Sequence, residues 1–292
     1  MSKTSATQWG ESRFLFNPTE PVRPAIIVTL SFVLAPAALL LLFTSVGRLL
    51  NAGAGGTPLA SPTGQLGVLG SAILLLLIAH TVRWSNAGMA VLTIWSAALT
   101  LIYAAQCLLG ASSCTQALTR WTQLPLYACS ICVGVTLMTK YMTTRAPQPN
   151  PRIPAWLAFT CAFVLSGAII GMLYVLAPRN VDAIRLGDAS LLPARTSGEV
   201  ALIVLTCLGA MALAFLANIS VGAVQAAAWI FFLIPGLIVV PTVTTLTDVT
   251  ATPNNSAIIA WQMTMPVCAT IGVLLATTTH AIALAHTPQT SG

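Results

Sequence analysis

The sequence predicts an all-α integral membrane protein with eight transmembrane helices, arranged as two tandem parallel four-helix repeats. Three observations carry that prediction. Of 292 residues, 57% are hydrophobic and only 6% charged; mean hydropathy is +0.88; and eight separate apolar stretches are each long enough to cross a bilayer. A soluble chain carries about 25% charged residues. Twelve Lys and Arg with six Asp and Glu cannot coat a water-facing surface of this size. A soluble enzyme, a secreted disulfide scaffold and a disordered chain are all excluded. The net charge of +6 is no nucleic-acid signal, because the basic residues are scattered singly between apolar runs.

A spanning helix needs about 20 mostly apolar residues. The first stretch, 25–47, follows a polar tail, 1–24, expected to lie along the cytoplasmic face. This stretch is too long, and starts too far in, for an ordinary signal peptide. The second, 66–84, begins after the Gly-, Pro- and Ser-rich NAGAGGTPLASPTGQ, and SNAG separates it from the third, 89–110. The fourth, 124–144, ends at a Pro-rich linker, 145–154, which leads to the fifth, 155–178. The longest polar loop, 179–199, mixes three Arg with Asp182, Asp188 and Glu199. The sixth (200–219), seventh (223–244) and eighth (257–285) follow, with TPNNS before the last and 286–292 as a C-terminal tail. LLLLIAH and FFLIPGLIVV do not alternate apolar with polar, as barrel strands do. These are helices.

Orientation follows Lys and Arg. With the N-terminus cytoplasmic, Lys3, Arg13, Arg23, Arg83, Lys140, Arg145 and Arg152 lie inside. Arg48, Arg120, Arg179, Arg185 and Arg195 lie outside. Both termini are therefore expected in the cytoplasm, and the cell membrane is the expected location.

The repeat is read from self-alignment. At an offset of 134 residues Ala60 falls on Ala194, Gly64 on Gly198, Gln65 on Glu199, Gly88 on Gly222 and Trp95 on Trp229. Pro21-Val-Arg-Pro24-Ala25 is echoed by Pro151-Arg-Ile-Pro154-Ala155 before the fifth span. The last span of each half shares an order: Trp121, Pro125, Cys129, Gly134, then Trp261, Pro266, Cys268, Gly272. Units of four spans insert with the same orientation, so 25–144 and 155–285 are expected to be parallel repeats with a cavity at their interface.

Ionisable residues inside a membrane are costly and mark function, and no Asp or Glu falls within these eight stretches. That argues against carboxylate-coupled antiport and against a metal-dependent membrane hydrolase. His80, His280 and His286 show no ligand spacing, so no metal or other cofactor is expected. Trp84, Trp121, Trp156 and Trp261 lie at span boundaries and read as an interfacial belt. Trp95 and Trp229 sit deeper, either lining a central cavity or packing the third span on the seventh. Pro36 interrupts the first span, while Pro235 and Pro241 bracket Gly236 in the seventh. Proline removes a helix hydrogen bond, and broken helices are a feature of transporter binding sites. Trp95, Trp229, Pro235 and Gly236 are therefore the candidate cavity residues.

Cys161, Cys207 and Cys268 are lone residues on apolar helices, read as small packing residues. Cys107 and Cys114 flank the outer end of the third span in CLLGASSC, and Cys129-Ser-Ile-Cys132 is a CxxC just inside the fourth. A loop cysteine pair with a CxxC at the start of a spanning helix resembles the membrane thiol oxidases of the DsbB and vitamin K epoxide reductase type. That resemblance implies electron transfer from thiols to a quinone in a four-helix bundle, with these four cysteines as the redox residues. It covers four cysteines and a helix count. Both pairs lie around spans three and four rather than in the family's arrangement, and of these four positions the second half keeps a counterpart only in Cys268.

Three functions compete on this reading. The first is a permease-like protein moving a small neutral or amphipathic solute between two pseudo-symmetric halves. The second is a non-catalytic membrane subunit of a larger complex, and the third the thiol oxidase. Expected partners are the lipid bilayer, other membrane subunits or a second copy of the chain, and no nucleic acid.

Overall fold

No water in a bilayer core solvates an exposed backbone, so long apolar runs span it as helices, where every peptide group bonds within its own segment. A computed structural model describes residues 22–54, 61–108, 122–144, 154–179, 195–246 and 256–286. Every element among them is helical: α1 (Val22–Ala54), α2 (Pro62–His80, closed by a 3-10 turn at Thr81–Arg83), α3 (Ala87–Leu108), α4 (Leu124–Thr144), α5 (Ala155–Leu176), α6 (Ser197–Leu216), α7 (Val221–Leu246) and α8 (Ser256–His286). All eight are long and apolar enough to cross a membrane. The chain is a multi-pass integral membrane protein.

Several ends differ from the hydropathy reading, each for a local reason. α1 runs on past 47 to Ala54, because Leu49 and Leu50 bury themselves and hold the glycine-containing end in helix. α2 starts at Pro62 rather than 66, with proline in its first turn, where a missing N–H costs nothing. α6 starts at Ser197 rather than 200. The Glu199 N–H donates to the Thr196 hydroxyl at 3.3 Å, and the Thr196 N–H donates to the Glu199 carboxylate at 2.9 Å. This capping box places Glu199 in the first helical turn rather than in the loop. α6 ends at Leu216 rather than 219, and the Ser220 hydroxyl caps α7 by accepting from the Ala223 N–H at 3.2 Å. The tail before residue 22, the linker at 145–153 and most of the 179–199 loop lie outside the described residues.

Packing centres on α8. Its most apolar window is 78% buried, against 28% for α5 and for α6, so α8 is the post around which the others stand. It touches α1, α2, α4, α5 and α7. Among the first four helices α1 packs on α2 and on α3, and α3 on α4; among the last four α5 packs on α6 and on α7, and α7 on α8. Between the two sets α4 meets α6, α8 meets α2, and α4 meets α8. Phe32 of α1 and Trp95 of α3 stack with ring centroids 5.2 Å apart, and Phe163 of α5 and Phe231 of α7 do so at 5.1 Å.

α7 is the irregular helix. It is π-helical over Ala228–Leu233 and again over Pro235–Val239. Pro235 and Pro241 each lack the N–H a regular α-helix needs, and the wider π turn is one way a helix stays continuous around such a gap. The break expected near Pro235-Gly236 is therefore a widening: Ile234 between the two π segments keeps helical angles (φ −63°, ψ −50°). Pro36 likewise sits inside an unbroken α1.

Candidate functional site

Two glycines bring α7 against α8. A Cβ on Gly236 would lie 2.7 Å from the Met265 carbonyl oxygen, and one on Gly272 would lie 2.8 Å from the Phe232 Cβ. Only a bare Cα permits such an approach from either side. Beside this contact lies a cleft of about 390 Å³, measured out to its open mouth. Leu49 and Gly53 of α1 and Gln65 of α2 form one wall. Gly236, Leu237, Val240, Pro241 and Thr244 of α7 form the other, and Gln262, Met265 and Pro266 of α8 close the back. A second, smaller cleft of about 280 Å³ lies on the other flank of α8, between Met263, Thr264 and Val267, the start of α4 at Thr122 and Tyr127, the end of α5, and Arg195. Their lining residues belong to the ends of α1, α5 and α7 and to the starts of α2, α4 and α8.

The first cleft holds the more unusual group. Gln262 is only 4% exposed, and neither its Nε2 nor its Oε1 has a hydrogen-bond partner. Buried side-chain amides almost always pair, and an unpaired one costs about 1–3 kcal/mol. Pro266 stands four residues later, so the Gln262 carbonyl has also lost its regular helical donor. Two acceptors and an NH₂ group thus gather at one position on an otherwise apolar wall. Among the described residues, no charged side chain lines this cleft.

Other polar groups of α8 are satisfied locally. Thr264, Thr270 and Thr277 donate to the carbonyls of Ala260, Pro266 and Val273 at 2.7, 3.0 and 2.7 Å, and Thr278 and Thr279 bond back to Leu274 and Leu275 in the same way. Gln225 of α7 makes a useful contrast. Its Nε2 donates to the Ala276 carbonyl at 2.7 Å and to the Thr279 hydroxyl at 2.9 Å, tying α7 to α8. Of these two glutamines on neighbouring helices, one has its NH₂ group engaged twice and the other has neither polar atom engaged.

Of the sequence candidates, Gly236 lines the first cleft, and Pro235 begins the π segment that forms its wall. Trp95 and Trp229 line neither cleft and are not brought together. Trp95 packs on Phe32, with its Nε1 buried and unpartnered, whereas Trp229 is 54% exposed on the outer face. The ring that reaches α5 from α7 is Phe231, two positions on, within the π-helical segment that starts at Ala228. Cys129 and Cys132 are free thiols, half-buried and buried within α4. Cys114 lies outside the described residues, as does the environment of Cys107. Among the described residues, no three His, Cys, Asp or Glu side chains gather as metal ligands.

Gln262 was not among the sequence candidates. A readable signal existed: a lone amide four residues before a proline inside an apolar span combines a polar side chain with a freed carbonyl. Set against family models, curated proteins and solved structures, the chain matches none.

Proposed function

We propose that the protein is permease-like and admits a small neutral, amphipathic solute between two four-helix halves, residues 25–144 and 155–285. The observation that carries this reading is the position of the first cleft. Its walls come from α1 and α2 on one side and from α7 and α8 on the other, which is the boundary between those halves. The pairing of helices supports the repeat: first with second, first with third and third with fourth recur in each set of four. Part of the cross-contacts follows the same exchange, with α4 on α6 matched by α8 on α2 and α4 on α8 mapping onto itself, whereas α1 on α8 has no comparable counterpart between α5 and α4. A two-fold axis along the membrane normal produces that pattern. An uncharged lining disfavours an ion, whose burial without a counter-charge is expensive.

The test is flux through liposomes containing the purified chain, with urea, acetamide, glycerol and butanamide followed by osmotic light scattering. At least one solute is expected to move faster than through protein-free liposomes. In a cysteine-free background, a short bis-methanethiosulfonate reagent, which forms a disulfide at each thiol with release of methanesulfinate, is expected to stop that flux by joining Leu49→Cys to Val240→Cys and fixing the two halves together. No flux above bare lipid for any of the four, or flux indifferent to the cross-link, overturns the reading.

A further inference from the structure

We propose that the cleft is a binding site for the carboxamide end of a neutral amphiphile, read by the Gln262 side chain. This deepens the permease reading and rests on it only for treating the bound molecule as a solute. Three independent features of the same place point to a ligand. The Gln262 amide is buried with both polar atoms unpartnered. Pro266 removes the helical donor from the Gln262 carbonyl, leaving an acceptor one residue's width from that amide. The cleft is lined by this residue and, on α7, by Gly236 and Leu237 of a π-helical segment as well as by regular helix. π segments are frequent at functional sites, and here Gly236, which lines the cleft, lets α7 close tightly on α8 at Met265 and Ala269.

The chemistry of the ligand follows from the groups that lack partners. A side-chain amide offers donors on nitrogen and an acceptor on oxygen, side by side. Its complement is a group with an acceptor and a donor at the same spacing, and a primary carboxamide satisfies both atoms in a paired ring of two hydrogen bonds. The second N–H of such a ligand suits the freed Gln262 carbonyl, and Gln65 across the cleft supplies another amide. A carboxylate has no donor for the Gln262 oxygen, and an ammonium has no acceptor for its NH₂ group. Either ion would also be buried without a counter-charge. Leu49, Leu237, Val240 and Met265 line the remaining surface, so the body of the ligand is apolar and short.

The experiment measures equilibrium binding of radiolabelled hexanamide to the purified full chain by scintillation proximity, with hexanoate and hexylammonium as charged isosteres. Hexanamide is expected to bind saturably and to be displaced by unlabelled hexanamide but not by either ion. Gln262→Met is expected to weaken it by about tenfold or more, the change that about 1.4 kcal/mol makes, within the range for one buried amide left unpaired. The variant's unfolding is recorded alongside, so that loss of binding is read on a folded protein. Non-saturable uptake, equal binding by Gln262→Met, or equal displacement by hexanoate overturns the proposal. Saturable, Gln262-dependent binding without hexanamide flux through liposomes removes the permease reading and leaves the site. Flux without such binding does the reverse.

Discussion

Gln262→Met should make the protein more stable, and Gln225→Met should make it less stable, although both remove an amide from adjacent helices. Methionine matches glutamine in length and lack of branching, so packing changes little in either case. At position 262 the native amide has no partner and sits 4% exposed, so its removal relieves a desolvation cost of about 1–3 kcal/mol. At position 225 the amide holds the Ala276 carbonyl and the Thr279 hydroxyl. Hydrogen bonds between membrane helices are worth about 0.6 kcal/mol on average and up to about 1.7, so losing both costs about 1–3 kcal/mol. The assay is reversible unfolding in mixed micelles of rising SDS fraction, followed by circular dichroism, for the native chain and both variants without added ligand. The two midpoints should move in opposite directions. If Gln262→Met loses about 1 kcal/mol or more, its amide is paired in the resting protein and the reasoning fails. A site that binds a ligand commonly lowers the stability of the empty protein, so a gain here with a loss of hexanamide binding is the signature sought.

Further outcomes separate the packing claims. Gly236→Ala should destabilise by about 1–3 kcal/mol through the clash with Met265 and Ala269, whereas Gly167→Ala, with open space around its Cβ position, should stay within about 0.5 kcal/mol; equal effects in the same unfolding assay contradict the α7–α8 contact. Thr196→Ala should cost about 0.5–2 kcal/mol by undoing the α6 capping box, and unchanged unfolding means that the box contributes nothing. For orientation, single cysteines introduced at 180–194 should react with an impermeant maleimide on intact cells and those at 145–153 only after permeabilisation; the opposite pattern reverses the topology. Replacing Cys129 and Cys132 together with Ala should leave solute flux unchanged, with both thiols found reduced in the native protein. A native disulfide there, with function lost in the variant, revives the thiol-oxidase reading.

The apolar runs by themselves determined that this is a multi-pass membrane protein, with eight helices among the described residues long and apolar enough to cross. A backbone in hydrocarbon has one local way to satisfy its peptide groups, so each apolar run of sufficient length becomes a helix whatever its neighbours are. Helix ends were legible where local chemistry sets them: Pro62 opening α2, and Thr196 with Glu199 opening α6, a spacing that hydropathy passes over. The seventh helix was also marked in the sequence, by Pro235 and Pro241. Whether those prolines break the helix or widen it was not, because the answer depends on how closely Gly236 and Gly272 let α7 and α8 approach. The same holds for the tryptophans. Trp95 and Trp229 are aligned by the offset of 134 residues, yet one is packed on Phe32 and the other is on the outer face, a difference that depends on which helices each one meets. The cleft itself is a tertiary object. Leu49, Gln65, Gly236 and Gln262 are far apart along the chain, and only the docking of α1 and α2 against α7 and α8 brings them to one wall. Hydrophobicity is a property each segment carries by itself, while a site is a relation between side chains that exists only once helices have chosen partners.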